Sequence, residues 1–325
     1  MHRLRLFSFD HLAPLTDPRN SGSPAVVSVV MNRSTTDLLA ADTSMGPVTL
    51  LVADLDALTA YYRDAVTLEV LSAETSAVTL GRAGIPLLVL QHAAELRHAA
   101  PSSAGLFHTA ILFPTQASLA AAVYSVATTR PGTFTGSADH LVSQAFYFTD
   151  PEGNGVELYW DRDRTTWSWT HGAVDMATLH LDPNAFIAEH LTADAVVPPT
   201  LGGAVVGHVH LSVGDIPTAR RFYVDLLGFE QTAAFGGSAL FVSAGGYHHH
   251  MAMNVWNSQG AGPRARALGL GEVDIVVPSA DDVGALAERM THHGVQTRDD
   301  GRALTVDDPW SNRIRVAVRD QQPAS

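Results

Sequence analysis

The chain has 325 residues, of which 46% are hydrophobic, so it is long enough for two domains with cores of their own. Its formal net charge is −13, and no cluster of Lys and Arg predicts binding to nucleic acid. The absence of cysteine excludes disulfides, thiolate metal sites and cysteine nucleophiles, and it fits a reducing cytoplasm. No apolar run approaches the roughly 18 residues of a membrane span, and the N-terminus lacks the apolar stretch of a signal peptide. We therefore expect a soluble, cytoplasmic protein.

The N-terminal residues 1–44 show no sustained periodicity and are predicted to form a loose extension. Ordered structure begins at "GPVTLLVADLDALTAYYRDAVTLEVL" (46–71), and "GHVHLSVGDIPTARRFYVDLLGFEQT" (207–232) is a near copy of it. The positions that are identical at one common offset include Leu50, Val52, Asp54, Tyr62, Asp64 and Glu69. Such self-similarity indicates an internal repeat.

Two weaker similarities extend the repeat to four units. "GLFHTAILFPTQASLAAAV" resembles "GLGEVDIVVPSADDVGALA", and "DPEGNGVELYW" resembles "DPWSNRIRVAV". Each unit is predicted to contain a strand, then a helix opened by an Asp, Thr or Ser cap, and then shorter strands separated by Gly. The units span 46–93, 105–160, 206–256 and 267–318.

These units divide the chain into two predicted domains, at 45–160 and 204–320. A linker at 161–203 separates them and holds a short helical stretch near 183–191. Asp54 and Asp215 are predicted to cap the first helix of each half.

The motifs "VADL", "YYRDAVTL", "FYVDLLGF" and "DPEGNGVEL" together resemble the vicinal oxygen chelate superfamily, which includes glyoxalase I, extradiol dioxygenases and bleomycin resistance proteins. The resemblance covers about 46–318, and the four-unit layout resembles the catechol-2,3-dioxygenase branch. It implies an α+β fold in which four βαβββ modules pair into two curved, open-barrel sheets around cavities. One such fold hosts many chemistries, so the activity needs evidence from the site.

The resemblance also implies where a metal would bind, since the family takes its ligands from the first and last strands of two paired units. The corresponding positions are His208 in the third unit and His108 and Glu157 in the second. The fourth unit has Glu272 and Arg315 there, and the first has no ligand. Two histidines and one carboxylate suit Fe(II), with Mn(II) or another divalent metal as alternatives. We infer one metal centre shared by units two and three, although pairing of the third with the fourth stays open.

Three consecutive histidines in "GGYHHHMAMNVW" (245–256) form the second candidate feature. Strand alternation predicts that His248 and His250 face the cavity and that His249 faces away. The resembled dioxygenases have a His-His pair at this place, which implies that His250 handles a proton, with His248 beside it.

Two further residues are implied as neighbours of the substrate. Tyr147 lies ten residues before the carboxylate, where the family has a Tyr that donates a hydrogen bond to a diol oxygen. His140 is a further candidate for the wall of the pocket.

Together these residues predict an Fe(II)-dependent extradiol dioxygenase that opens a catechol-like ring with O2. Its partners would be a small aromatic molecule and O2, without nucleic acid or membrane, and a homo-oligomer is compatible with the sequence. One alternative is a metal-dependent lyase or isomerase of the glyoxalase kind. A second is a non-catalytic protein that binds an antibiotic or another small aromatic molecule without metal.

Overall fold

The computed structural model describes residues 38–192 and 202–319. Residues 1–37 of the predicted N-terminal extension and 193–201 of the predicted linker lie outside this range. Each of the four units has the predicted order of one strand, one helix and three further strands. The predicted α+β class and the βαβββ modules are therefore confirmed.

The first half of the chain contains two units. The first consists of β1 (Ser44–Val52), α1 (Leu55–Ala60, continued by a π-helical turn at Tyr61–Ala65), β2 (Glu69–Ala73), β3 (Ala77–Arg82) and β4 (Ile85–His92). The second consists of β5 (Gly105–Leu112), α2 (Gln116–Thr129), β6 (Phe134–Asp139), β7 (Ser143–Thr149) and β8 (Gly155–Asp161).

The linker follows, with the short elements β9 (Trp169–Thr170), β10 (Ala173–Val174), β11 (Leu179–His180) and α3 (Pro183–His190). The third unit consists of β12 (Val205–Ser212), α4 (Ile216–Arg220, continued by a π-helical turn at Arg221–Leu226), β13 (Glu230–Phe235), β14 (Ala239–Ser243) and β15 (Met251–Asn254). The fourth consists of β16 (Gly269–Val277), α5 (Ala280–His292), β17 (Thr297–Asp299), β18 (Ala303–Asp307) and β19 (Arg313–Val318).

The units pair across the two halves of the chain. One sheet has the order β11-β6-β7-β8-β5-β12-β15-β14-β13 and so joins units two and three. The other has the order β17-β18-β19-β16-β1-β4-β3-β2 and joins units one and four. The predicted division at 45–160 and 204–320 follows chain order, whereas each sheet takes one unit from each side of it. This pairing brings strands β8, β5 and β12 together.

Strand alternation explains which side of each sheet packs against the helices. Val48, Leu50 and Val52 of β1 point to one side and are almost completely buried in the main core, together with apolar residues of the four unit helices. The first helix of each half starts at a capping carboxylate, as predicted: Asp54 accepts from the backbone N–H of Ala57, and Asp215 accepts from that of Thr218.

A buried hydrogen bond ties together the two units of each half. The hydroxyl of Tyr62 in unit one donates to Asp150 of unit two over 2.9 Å. Tyr223 in unit three donates to Asp308 of unit four over the same distance. These tyrosines belong to the repeated helix motif, and the aspartates to the repeated turn. Each of these pairs joins the two units of one half, whereas each sheet joins units from different halves.

Helix α3 lies in the segment where the sequence predicted a short helical stretch near 183–191. Among the described residues, no helix combines the length and apolar character that a membrane span requires.

Candidate metal centre

The three predicted ligands lie on three neighbouring strands of the sheet that units two and three share. Ala110 of β5 pairs with Glu157 of β8 on one side and with His208 of β12 on the other. His108 precedes Ala110 by two residues and so projects from the same face. The small Ala110 side chain leaves room between these longer ones. Strand register alone therefore gathers two histidines and one carboxylate.

Both histidines turn the same nitrogen toward one carboxylate oxygen. Nε2 of His108 lies 2.9 Å from Oε2 of Glu157, and Nε2 of His208 lies 3.1 Å from the same oxygen. All three residues are buried, and their ligand atoms lie within 4.8 Å of one another. The structure thus brings together the three side chains that the sequence assigned to a metal.

The charge states of this cluster follow from burial and from the two histidines. Burial by itself would raise the pKa of Glu157, but His208 and His108 hold it well below its usual value. Burial lowers the pKa of His208, against the opposing effect of Glu157. An ionised carboxylate beside a neutral imidazole is the protonation state in which these groups bind a metal.

The cluster fits a divalent ion on two further grounds. Among the buried polar atoms of the described residues, Nε2 of His108 makes no hydrogen bond of good geometry, although it lies 2.9 Å from Glu157, so this nitrogen is available to a metal. Ligand atoms held about 2.1 Å from one ion at right angles lie about 3.0 Å apart, which matches the spacing of the two nitrogens from the oxygen. Two histidines and one carboxylate on one face also leave positions for a substrate.

Tyr147 and His140 lie beside the cluster. Tyr147 of β7 pairs directly with Glu157, and its hydroxyl lies 2.7 Å from Nε2 of His140. The other ring nitrogen of His140 lies 2.7 Å from the carbonyl oxygen of Ala177, which can only accept. A neutral His140 therefore donates to that carbonyl and accepts from Tyr147. Burial, followed by the charge of Glu157, raises the pKa of Tyr147 well above its usual value, which keeps the phenol protonated.

The histidine run departs from the predicted strand pattern. Strand β15 begins at Met251, so His248, His249 and His250 occupy the bend that precedes it. The predicted alternation is wrong here because it requires an extended strand. The ring of His249, expected to face away, lies 4.1 Å from that of His208.

His250 occupies a different environment from the one predicted. Its Nδ1 accepts a hydrogen bond from the backbone N–H of Ala244 over 3.2 Å, and its ring packs 4.9 Å from that of Tyr247. Burial, followed by the nearby His248, lowers the pKa of His250 to about 3. The ring that lies on the metal cluster is that of His249.

Asp161 is a residue of this site that the sequence analysis missed. It lies four residues after Glu157 at the end of β8, on the same face, and strand alternation could have indicated it. Its Oδ1 accepts from Nε2 of His248 over 2.9 Å, and its Oδ2 accepts from the Tyr247 hydroxyl over 2.7 Å. Nδ1 of His248 in turn lies 2.7 Å from Nδ1 of His249. The carboxylate thereby orients the histidine run.

Tyr159 extends this network toward β12. Its hydroxyl lies 2.7 Å from that of Tyr247. Because Tyr247 already donates to Asp161, Tyr159 is the donor in this pair. The Tyr159 hydroxyl lies where a side chain at Gly207 would begin, so only glycine fits at that position.

In the fourth unit, an ion pair occupies the strands that correspond to those of Glu157 and His108 in the second unit. Arg315 donates to Asp274 over 3.2 Å, and these two residues are paired neighbours on β19 and β16. Burial raises the pKa of Asp274 to about 7, with Arg315 opposing and Glu272 adding to the shift. Among the described residues, the only group of three or more potential metal-binding side chains is that of units two and three.

Comparison with known proteins agrees with this geometry. Residues 205–316 match the sequence model of the Glyoxalase/Bleomycin resistance protein/Dioxygenase superfamily. Catechol-2,3-dioxygenase of Bacillus subtilis (strain 168) is 34% identical over 275 residues, which cover 83% of this chain and 95% of that protein. The chain belongs to this superfamily. Its relationship to a protein of that name supports an oxidoreductase of the dioxygenase kind.

Two solved structures are also similar to this chain in fold. A protein of Bacillus subtilis subsp. subtilis str. 168 matches with a TM-score of 0.57 and 13% identity, over 85% of each chain. Glyoxalase I from Zea mays matches with a TM-score of 0.52 and 14% identity, over 85% of this chain and 92% of that one. At these identities the likeness shows the fold alone, and it confirms the curved sheets expected from the sequence.

Proposed function

We propose that the protein is an extradiol dioxygenase that opens the ring of a catechol-like vicinal diol with O2, using a divalent metal held by His108, Glu157 and His208. The observation that carries the proposal is the convergence of both histidine Nε2 atoms on one Glu157 oxygen, at 2.9 and 3.1 Å. The relative named catechol-2,3-dioxygenase supports the choice of reaction.

Fe(II) is the proposed metal, and Mn(II) or another divalent ion fits the same side chains. When bound, Fe(II) supplies the Lewis-acid and redox chemistry by which a vicinal diol reacts with O2. The protein contributes an ionised Glu157, whose negative charge offsets part of the metal charge. The burial of all three ligands excludes bulk water from the reacting atoms.

Tyr147 is proposed to orient the diol. Its phenol stays protonated, and His140 accepts its proton in a hydrogen bond, so an oxygen lone pair of Tyr147 remains free to accept from a diol hydroxyl. When an ionised diol oxygen binds instead, the same hydroxyl can turn and donate to it. The backbone carbonyl of Ala177 holds His140 in the orientation that this exchange needs.

His249 is proposed to handle the proton, in the role that the sequence analysis gave to His250. Its Nδ1 is engaged with His248, so Nε2 is the nitrogen left for a substrate proton. Burial, followed by the charge of His208, lowers the pKa of His249 well below its usual value, so the free imidazole is neutral and can accept. Asp161 keeps His248 in place behind it.

The test is anaerobic reconstitution of the chain with Fe(II), followed by catechol and air. Ring cleavage beside the diol predicts oxygen uptake together with a yellow semialdehyde product. The exchange Glu157→Gln should abolish both, whereas Glu272→Gln, the same exchange at the position of the fourth unit that corresponds to His108, should retain them. Turnover of a thiol adduct without oxygen would instead support the alternative of a metal-dependent lyase or isomerase of the glyoxalase kind. If the protein purifies without stoichiometric metal and shows no turnover after reconstitution, the result would support the alternative of a non-catalytic protein that binds a small aromatic molecule.

We also infer a cytoplasmic location, on the ground that the chain has no cysteine. Fractionation of cells that express the full-length chain tests this inference. Recovery in the soluble cytosolic fraction is expected, and recovery in an extracellular fraction would contradict it.

A further inference from the structure

Two aromatic side chains near the metal centre are exposed to solvent to an unusual extent. Trp256 is 51% exposed and Phe235 is 46% exposed. Exposed aromatic side chains that continue into a buried site indicate a surface for binding. Both of these residues connect to the metal ligands through a series of packed rings.

The first series runs from Trp256 to His108. The ring centroid of Trp256 lies 5.2 Å from that of Phe107 and 5.4 Å from that of His210. Phe107 and His210 in turn lie 5.3 and 4.9 Å from the ring of His108. Phe107 reaches this position because the register between β5 and β12 shifts there and leaves it unpaired.

The second series runs from Phe235 to His208. The rings of Phe235 and Phe241 are 5.3 Å apart, and Phe241 lies 5.0 Å from His249. His249 contacts His208, as described above. Phe241 also lies 6.0 Å from His210, which joins the two series into one continuous surface. We call this surface the aromatic wall; it consists of Phe107, His210, Phe235, Phe241 and Trp256.

A buried amide holds the middle of the aromatic wall. The side-chain oxygen of Asn254 accepts from the backbone N–H of Trp256 over 3.1 Å, which leaves its Nδ2 as the donor to Nε2 of His210 over 3.0 Å. Nε2 of His210 is therefore the acceptor in this hydrogen bond, which fixes the orientation of the ring. Asn254 is completely buried, and it holds the backbone at Trp256 and the ring of His210 in place.

From this arrangement we infer that the aromatic wall is a subsite for an uncharged hydrocarbon substituent of the substrate, an alkyl or aryl group attached to the diol ring. The inference rests on the proposed function, since the diol would lie at the metal centre. The wall begins at the ligand histidines and ends at the exposed Trp256, so a substituent that extends from a bound ring toward solvent would pass along it. Four of its five side chains are Phe or Trp, which offer no counter-charge to an ionic substituent.

The first experiment compares catechol with 4-tert-butylcatechol, which present the same diol with and without a hydrocarbon group. The KM for 4-tert-butylcatechol should be lower by about tenfold in the unchanged chain, because the tert-butyl group leaves water. This KM ratio should fall toward one in Trp256→Ala and in Phe235→Ala. The matched control is Val70→Ala, an equally exposed residue of the other sheet (41% exposed), which should keep the ratio. A ratio near one in the unchanged chain, or the same ratio in all variants, overturns the inference.

A second experiment reads the subsite without turnover. The probe 4-tert-butylphenol has a single hydroxyl and cannot chelate a metal, and its binding to the metal-free full-length chain is followed by saturation-transfer NMR. Transfer to the tert-butyl protons should weaken in Trp256→Ala and persist in Val70→Ala. If neither catechol consumes oxygen, the proposed function fails while this result still tests the subsite. A dimer that dissociates on Trp256→Ala in sedimentation, without any transfer, would assign the wall to contact between two copies and overturn the inference.

Discussion

Glu157 and His208 stand 51 positions apart in the chain and belong to different halves of it, yet Oε2 of one lies 3.1 Å from Nε2 of the other. Their strands are separated only by β5, which contributes His108 between them. The candidate metal centre therefore exists only when the two halves of the chain are folded together. This dependence underlies the first of four predictions.

Replacing His108 and Glu157 together with alanine should abolish metal binding. We expect the affinity for Fe(II) to fall by more than about 100-fold, since even residues that only support a ligand contribute about 10- to 100-fold. Competition with a chromophoric chelator measures the affinity without any need for turnover. The variant Glu272→Gln, altered in the fourth unit, should bind as the unchanged chain does. Tight binding that survives the double replacement would rule out this cluster as the metal site.

His249 and His250 should differ sharply in their effect on turnover. Removing a positioned acid/base group costs about 100-fold or more in kcat, so His249→Ala should lose at least that much oxygen uptake. His250→Ala should retain most of it, because the His250 ring packs on Tyr247 rather than on His208. Metal content of both variants must be measured alongside. Equal losses, or the larger loss in His250→Ala, would contradict the assignment of His249.

The hydrogen bond between Tyr62 and Asp150 should stabilise the fold. Tyr62→Phe leaves a buried carboxylate without one of its donors, which costs about 1–3 kcal/mol in the free energy of unfolding. Urea denaturation followed by circular dichroism measures this change. Tyr124→Phe, on helix α2, removes a hydroxyl that makes no such bond to the part of the chain that the structure describes, and it should change the stability little. Equal stability of the two variants would show that the bond contributes nothing.

Asp274 should make stability depend on pH. Burial raises its pKa from 3.8 to about 7, so between pH 4 and 7 the folded chain holds a proton that the unfolded chain has lost. Stability contributed by the protonated group is therefore lost as the pH rises through this window, by an amount on the order of a few kcal/mol. Thermal unfolding at pH 5 and pH 7 should show a larger fall in Tm for the unchanged chain than for Asp274→Asn. Parallel falls would contradict the shifted pKa.

Much of this molecule could be predicted from local patterns. Period-two alternation and repeated capping residues indicated four similar units, because each unit contains its own strand and helix signals. The candidate ligand set followed from the resemblance to the family, whose ligand positions hold His108 and Glu157 in the second unit and His208 in the third. The complete two-histidine, one-carboxylate set also favoured the pairing of units two and three, which the shared sheet confirms.

The histidine run shows where local patterns fail. An unbroken strand through 248–255 would have turned His250 toward the cavity, but Asp161 and Tyr247 hold His248 in a bend before β15 begins. Asp161 comes from β8, three strands away in the sheet, and Tyr247 from the loop before β15, so no spacing within the run could reveal them. The aromatic wall likewise depends on a register shift that leaves Phe107 unpaired. Side-chain periodicity follows from the backbone of one strand, whereas bends, bulges and hydrogen bonds between strands arise only when distant segments meet.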